Sequence, residues 1–268
     1  VSGTGMVYVV ESDTPDGNKI HRYFDPDEWI SGTNTFVEGG TGPTSVAVGP
    51  GDFLGALLTL NASKGLVAGH TTTVNSGGSL LLSDGALNTP TLLLNGGASL
   101  NASGNVPAKF SGMTDSNIVA TGTLSIGDAN VYGSFDHQGS LLVGNHDVTL
   151  NTKGFAKLGS LTTIDNGTLQ AANGIALGVG TVLTGSGSVE AKVAAGFGST
   201  IEAIGGLDLG SASSVSGFFS DGELIVDTHT MTIHDQNIAV LGSLTDLGSE
   251  TDGGILVAAN GLLIEQGK

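Results

Sequence analysis

The sequence contains no cysteine, which excludes a disulfide framework and any thiolate-based zinc or redox site. Aromatic residues are also scarce: there is one Trp and there are three Tyr, and three of these four precede residue 30. The stacking platforms on which a sugar-processing enzyme relies are therefore in short supply. Basic residues number 8 against 25 acidic ones, a formal charge of −17 that repels phosphate backbones and anionic membranes, so nucleic acid is not an expected partner. No apolar run approaches the length of a membrane span. The chain begins at Val1 rather than Met, as expected after removal of an N-terminal signal or propeptide, or of an excised fragment.

What is abundant is glycine, with 45 in 268 residues, alongside 39% apolar residues at regular positions. Regularly placed Leu, Ile and Val exclude a disordered Gly-rich linker. The glycines read as corners between short strands, where the backbone is crowded or φ is positive.

The regularity is a repeat. Gly139-Ser-Leu-Leu-Val-Gly-Asn-His146 to Leu158-Gly-Ser-Leu-Thr162 recurs as Gly222-Glu-Leu-Ile-Val-Asp-Thr-His229 to Leu241-Gly-Ser-Leu-Thr245, a period of 83 in the numbering. The same offset pairs Phe135 with Phe218, Leu124 and Ile126 with Leu207 and Leu209, and Ile118 and Ala120 with Ile201 and Ala203. With a one-residue slip the match extends back to Gly55, giving units that open near Gly55, Gly139 and Gly222. Beyond Thr245 the third unit resumes as Leu256-Val-Ala-Ala-Asn-Gly261, against Leu169-Gln-Ala-Ala-Asn-Gly174.

Within a unit, apolar stretches begin about every seven residues and alternate with small polar residues, as in Ser188-Val-Glu-Ala-Lys-Val193, the strand period of two. Three such strands make a coil of about 21 residues, and four coils fill one unit. The fold class is therefore all-β, a three-sided parallel β-helix over residues 55–268. Leu141, Val143, Val148, Leu150, Leu158, Leu161 and Leu169 are expected to face inward, with their partners Leu224, Val226, Met231, Ile233, Leu241, Leu244 and Leu256.

Residues 1–54 do not share the repeat and form a small N-terminal β module, a cap or docking element. Met6-Val-Tyr-Val-Val10 and Lys19-Ile-His-Arg-Tyr-Phe24 read as a hairpin around the turn Pro15-Asp-Gly-Asn18, and Asn34-Thr-Phe-Val37 and Ser45-Val-Ala-Val48 as two further strands. Val7-Tyr8-Val9, Ile20-His21-Arg22-Tyr23, Asp25-Pro26 and Pro43-Thr-Ser-Val-Ala-Val48 together resemble one blade of an NHL-type β-propeller. A single blade implies local hairpins, not a closed ring. From Gly55 onward, Thr73-Val-Asn-Ser-Gly-Gly-Ser-Leu80 and Gly185-Ser-Gly-Ser-Val189 resemble the Gly-rich repeats of autotransporter passengers and filamentous-haemagglutinin-like adhesins. That resemblance implies an exported bacterial surface or matrix protein.

The candidates for chemistry are few. His146 and His229 hold equivalent repeat positions, which points to a structural duty, and His21, His70, His137 and His234 lack a partner at metal-ligand spacing. A glycoside-cleaving site needs converging carboxylates, for which Asp165, Glu190, Glu202, Asp208, Asp221, Glu223 and Asp227 are the available residues; solvated surface charges are the plainer reading. Asp13, Asp16, Asn18, Asp25, Asp27 and Glu28 offer oxygens for Ca²⁺, although turn chemistry explains them equally well. Thr71–Thr73, Thr162–Thr163 and Thr228–Thr232 read as solvent-facing strand surface rather than an ice-binding face. No catalytic residue, cofactor site or metal site is assigned, and no enzyme is expected.

The functional expectation is an extracellular structural protein, a filament or matrix subunit that stacks head to tail with copies of itself. The apolar strand Leu262-Leu-Ile264 and the N-terminal module would form the two halves of the joint. A surface adhesin or a carbohydrate-active enzyme on the same scaffold, with carbohydrate as partner, is the alternative.

Overall fold

The computed structural model describes residues 7–11, 19–23, 47–48, 57–61, 65–210, 217–242, 245–248 and 253–264. Among them there is no helix, and hence none long and apolar enough to cross a membrane. The chain winds as a parallel solenoid of three ladders. The first ladder starts with Leu57–Asn61 and Ser79–Ser83 and reaches Thr245–Asp246 in nine steps. The second includes 124–128, Asp147–Thr152, Thr230–His234 and Ile255–Ala258. The third begins at Ala47–Val48, in register with Thr73 and Val74, and ends at Leu262–Ile264.

Strand positions explain the period of the repeat. On the first ladder successive turns start at 99, 117, 140 and 161, then again at 182, 200 and 223, so that 182, 200 and 223 are the repeat counterparts of 99, 117 and 140. One unit is four turns of unequal length.

Alternation within each strand sends every second side chain to the interior. Leu80, Leu100, Ile118, Leu141, Leu183, Ile201 and Leu224 form one inner column, shielded from solvent. Such stacking removes apolar surface from water at every turn, about 25 cal/mol per Å². Most of the expected core is buried, but two elements differ. Leu161 is 40% exposed, and Thr162 takes the inner position beside Leu141. Strand parity is the reason: Ile164 points inward, and a residue three positions away on the same strand points outward. Leu256 is only half-buried against the core, and Leu244 lies outside the described residues.

Corners use the left-handed region where the chain turns most sharply. Gly144 and Asp227 are equivalent in the repeat, with φ of 61° and 49°, and Asp115 and Gly198 with 63° and 76°. Asp and Asn tolerate this region better than other non-glycine residues. Side chains also hold corners. Asn173 Nδ2 donates to the carbonyl of Thr152 at 2.7 Å, and Asn260, its counterpart in the Ala-Ala-Asn-Gly match, donates to the carbonyl of Asp235.

In the N-terminal segment Val7–Glu11 pairs antiparallel with Lys19–Tyr23, the expected hairpin. The expected turn at 15–18 and strand at 34–37 lie outside the described residues.

Candidate functional site

The three outer faces differ in chemistry. The second face is a hydrogen-bonded polar surface: Thr149 donates to Gln170 Oε1 at 3.3 Å, and Gln170 Nε2 donates to Glu190 Oε2 at 2.9 Å. Farther along, His234 Nε2 lies 3.6 Å from Asp208 Oδ1, an ion pair only when the imidazole is protonated. On the first face Thr184 donates to Glu202 at 3.1 Å. The third face carries Lys157 and Asp136 on adjacent turns, 3.3 Å apart and largely solvated, a geometry that contributes little to stability. The corner entering this face holds Lys153 4.8 Å from the ring centroid of exposed Tyr132, and Lys192 5.4 Å from that of Phe155.

A cleft of about 590 Å³ opens where the third face turns into the first. Its origin is the unequal turn length. Strands 135–137 and 140–144, and then 156–158 and 161–164, are joined by two residues each, whereas 175–177 and 182–185 are joined by four. The tight corners require glycine, because a methyl group on Gly139 would lie 1.9 Å from the Ser116 carbonyl oxygen. The recess is lined by Asp136, Gln138, Lys157, Ser160, Val179 and Thr181 among others. It contains one carboxylate, already engaged by Lys157, so the two-carboxylate arrangement of glycoside hydrolysis is not assembled there.

The structure disperses the sequence candidates. Glu202 and Glu223 lie on the first face, Glu190 and Asp208 on the second, and Asp165, Asp221 and Asp227 at corners. Among the described residues no three His, Asp or Glu side chains converge on a metal-sized site. The acidic cluster at 13–28 lies outside the described residues. The threonine reading needs correction at two positions: Thr72 and Thr162 point inward, each with an unpaired buried hydroxyl oxygen, because their neighbours Val74 and Ile164 fix the inward parity.

His137 is the group that sequence reasoning missed. It is buried against the rings of Phe110 and Phe135, in register with Gly112 on the turn before. Gly112 leaves the space it fills, since a methyl group there would lie 2.3 Å from His137 Cδ2. Ser116 Oγ donates its one proton to the Met113 carbonyl at 2.6 Å, so at 3.2 Å it accepts from His137 Nε2, leaving Nδ1 unprotonated and unpaired. Burial lowers the pKa of His137 to about 4, against the smaller upward pulls of the Ser116 backbone and the charge of Asp136. The signal lay in Phe135-Asp-His137: in a strand these two aromatic rings share one side. The equivalent position in the following unit is Ser220, also buried, so the site belongs to one unit and not to the repeat.

Comparison with known proteins finds no matching family model, curated protein or solved structure.

Proposed function

We propose that the chain is an extracellular structural protein, a subunit of a filament or matrix fibre of the Gly-rich bacterial surface kind, growing by end-to-end stacking. The observation that carries this reading is the state of the inner columns at the last described turn. Leu262 and Ile264 continue the inner positions of Ala239 and Leu241, which are buried, yet Ile264 is 69% exposed. An inner-column side chain in that state is stabilised by one more layer of the same kind; on the filament reading, that layer is another copy of the solenoid. The partner half of the joint would be the N-terminal module, through Met6 to Val10 and the aromatic residues Tyr23, Phe24 and Trp29. Deleting residues 1–24 tests this: negative-stain microscopy should show folded rods that no longer polymerise. Fibres from the truncated chain, or an intact protein that stays monomeric at high concentration, would refute it.

A second reading, a carbohydrate-binding adhesin, draws support from the cleft beside Asp136 and Lys157. Binding of an oligosaccharide panel that Lys157→Ala abolishes would favour it over the filament.

A further inference from the structure

On the third face the outward column changes character halfway along the rod. From Thr73 it reads Leu93, Ser111, Asp136 and Lys157, and then Ala176, Ala194, Phe219, Val240 and Leu263, each in register with the next. Phe219 is the repeat counterpart of Asp136, and Val240 that of Lys157. The same two repeat positions thus hold an ion pair in one unit and an apolar pair in the next, within one backbone geometry. The fold requires neither. Phe219 is 38% and Leu263 50% exposed, and Val179 and Phe197 project beside the column at 84% and 78%.

We infer that this half of the third face is a lateral docking surface for the same face of a second copy, the two rods running antiparallel. Charge selects the partner. The five strands 175–177, 193–195, 218–220, 239–241 and 262–264 contain no charged residue. Over the same turns the first face carries Glu202, Glu223 and Asp246 and the second Glu190 and Asp208. In a chain of net charge −17, this face lets two copies meet with no carboxylate in the five strands themselves, the adjacent Asp221 lying at the corner after 218–220. Shape selects the direction. Two alanines precede three larger side chains along the axis, and a two-fold through Phe219 lays Val240 and Leu263 of one copy over Ala194 and Ala176 of the other, filling the recess that the alanines leave. Four steps at about 4.8 Å make the strip about 19 Å long, a size that goes with a transient pair rather than a permanent dimer.

This contact is lateral and independent of end-to-end growth; it stops at two copies, whereas axial stacking does not stop. The full chain has no cysteine, so single cysteines report the geometry. In aerated buffer Phe219→Cys, at the two-fold, should oxidise to a covalent dimer at least tenfold faster than Ala176→Cys, whose nearest counterpart is Leu263 of the other copy. In sedimentation equilibrium, Phe219→Asp with Val240→Lys should weaken dimerisation at least tenfold while the melt stays cooperative, because Asp136 and Lys157 show that the pair fits the fold. Equal cross-linking at both cysteines, or an unchanged dimer constant in the double variant, would overturn the proposal whether or not fibres form.

Discussion

His146 and His229 occupy the same corner of the solenoid, four turns apart. The amide of each donates to the carbonyl of the third residue before it, Val143 at 3.4 Å and Val226 at 3.0 Å, and the carbonyl of each accepts from the next turn, Thr168 and Ile255, at 2.9 Å. Both rings are half-buried at the surface. Their duty is carried by the backbone, and the four-turn unit is thereby a modular piece of rod.

Excising residues 140–222 tests that modularity. The deletion joins Gly139 to Glu223, recreating the junction that Gly222 makes naturally, and sets 223–225 on 117–119 as it is set on 200–202. The shortened chain should fold, and its longest dimension in small-angle scattering should fall by about 19 Å, four turns at about 4.8 Å. Removing a few residues more or fewer should abolish cooperative unfolding.

Leu224→Asp buries an unpaired carboxylate in an inner column and should destabilise by several kcal/mol. Leu161→Asp, one face outward, should stay within about 0.5 kcal/mol of the parent. Chemical denaturation of the two variants checks the strand parity directly.

Neutral His137 makes stability depend on pH with a definite sign. Its folded pKa of about 4 lies below its unfolded value of 6.5, so the unfolded chain binds the extra proton between them. The contribution is fully present above pH 6.5 and is lost as pH falls toward 4, by up to about 3 kcal/mol. His137→Leu should flatten that limb relative to the parent in melts between pH 7 and 4; a parallel loss in both chains would remove His137 as the cause.

Gly112 and His137 correspond to Ala195 and Ser220 in the following unit. Gly112→Ala alone should cost about 1–3 kcal/mol through overpacking against the imidazole. Adding His137→Ser transplants the other unit's pair and should recover part of that loss, a coupling that a double-mutant cycle measures.

Much of this architecture was legible because a solenoid writes its geometry into local period: Val148, Leu150, Met231 and Ile233 could be placed inside from alternation alone. Leu161 was misplaced because Gly159-Ser-Leu-Thr-Thr-Ile164 offers two parities, and only the distant partners Leu141 and Leu183 decide between them. The His137 site depends on Gly112, remote in the chain and one turn away in space, a relation that no local pattern displays. The outer faces were illegible for the same reason: Phe219, Val240 and Leu263 become neighbours only once turn lengths are known.

Because the turns of a unit differ in length while four of them recur near 83 residues, the rod carries two rulers at once. Backbone spacing repeats at about 4.8 Å, whereas corner profile repeats at about 19 Å, the wavelength of four turns. A change in chain length by one turn would keep the hydrogen bonds but throw every recess out of phase with its counterpart. A whole unit, and not the single coil, is therefore the shortest length whose insertion or removal keeps both rulers in phase.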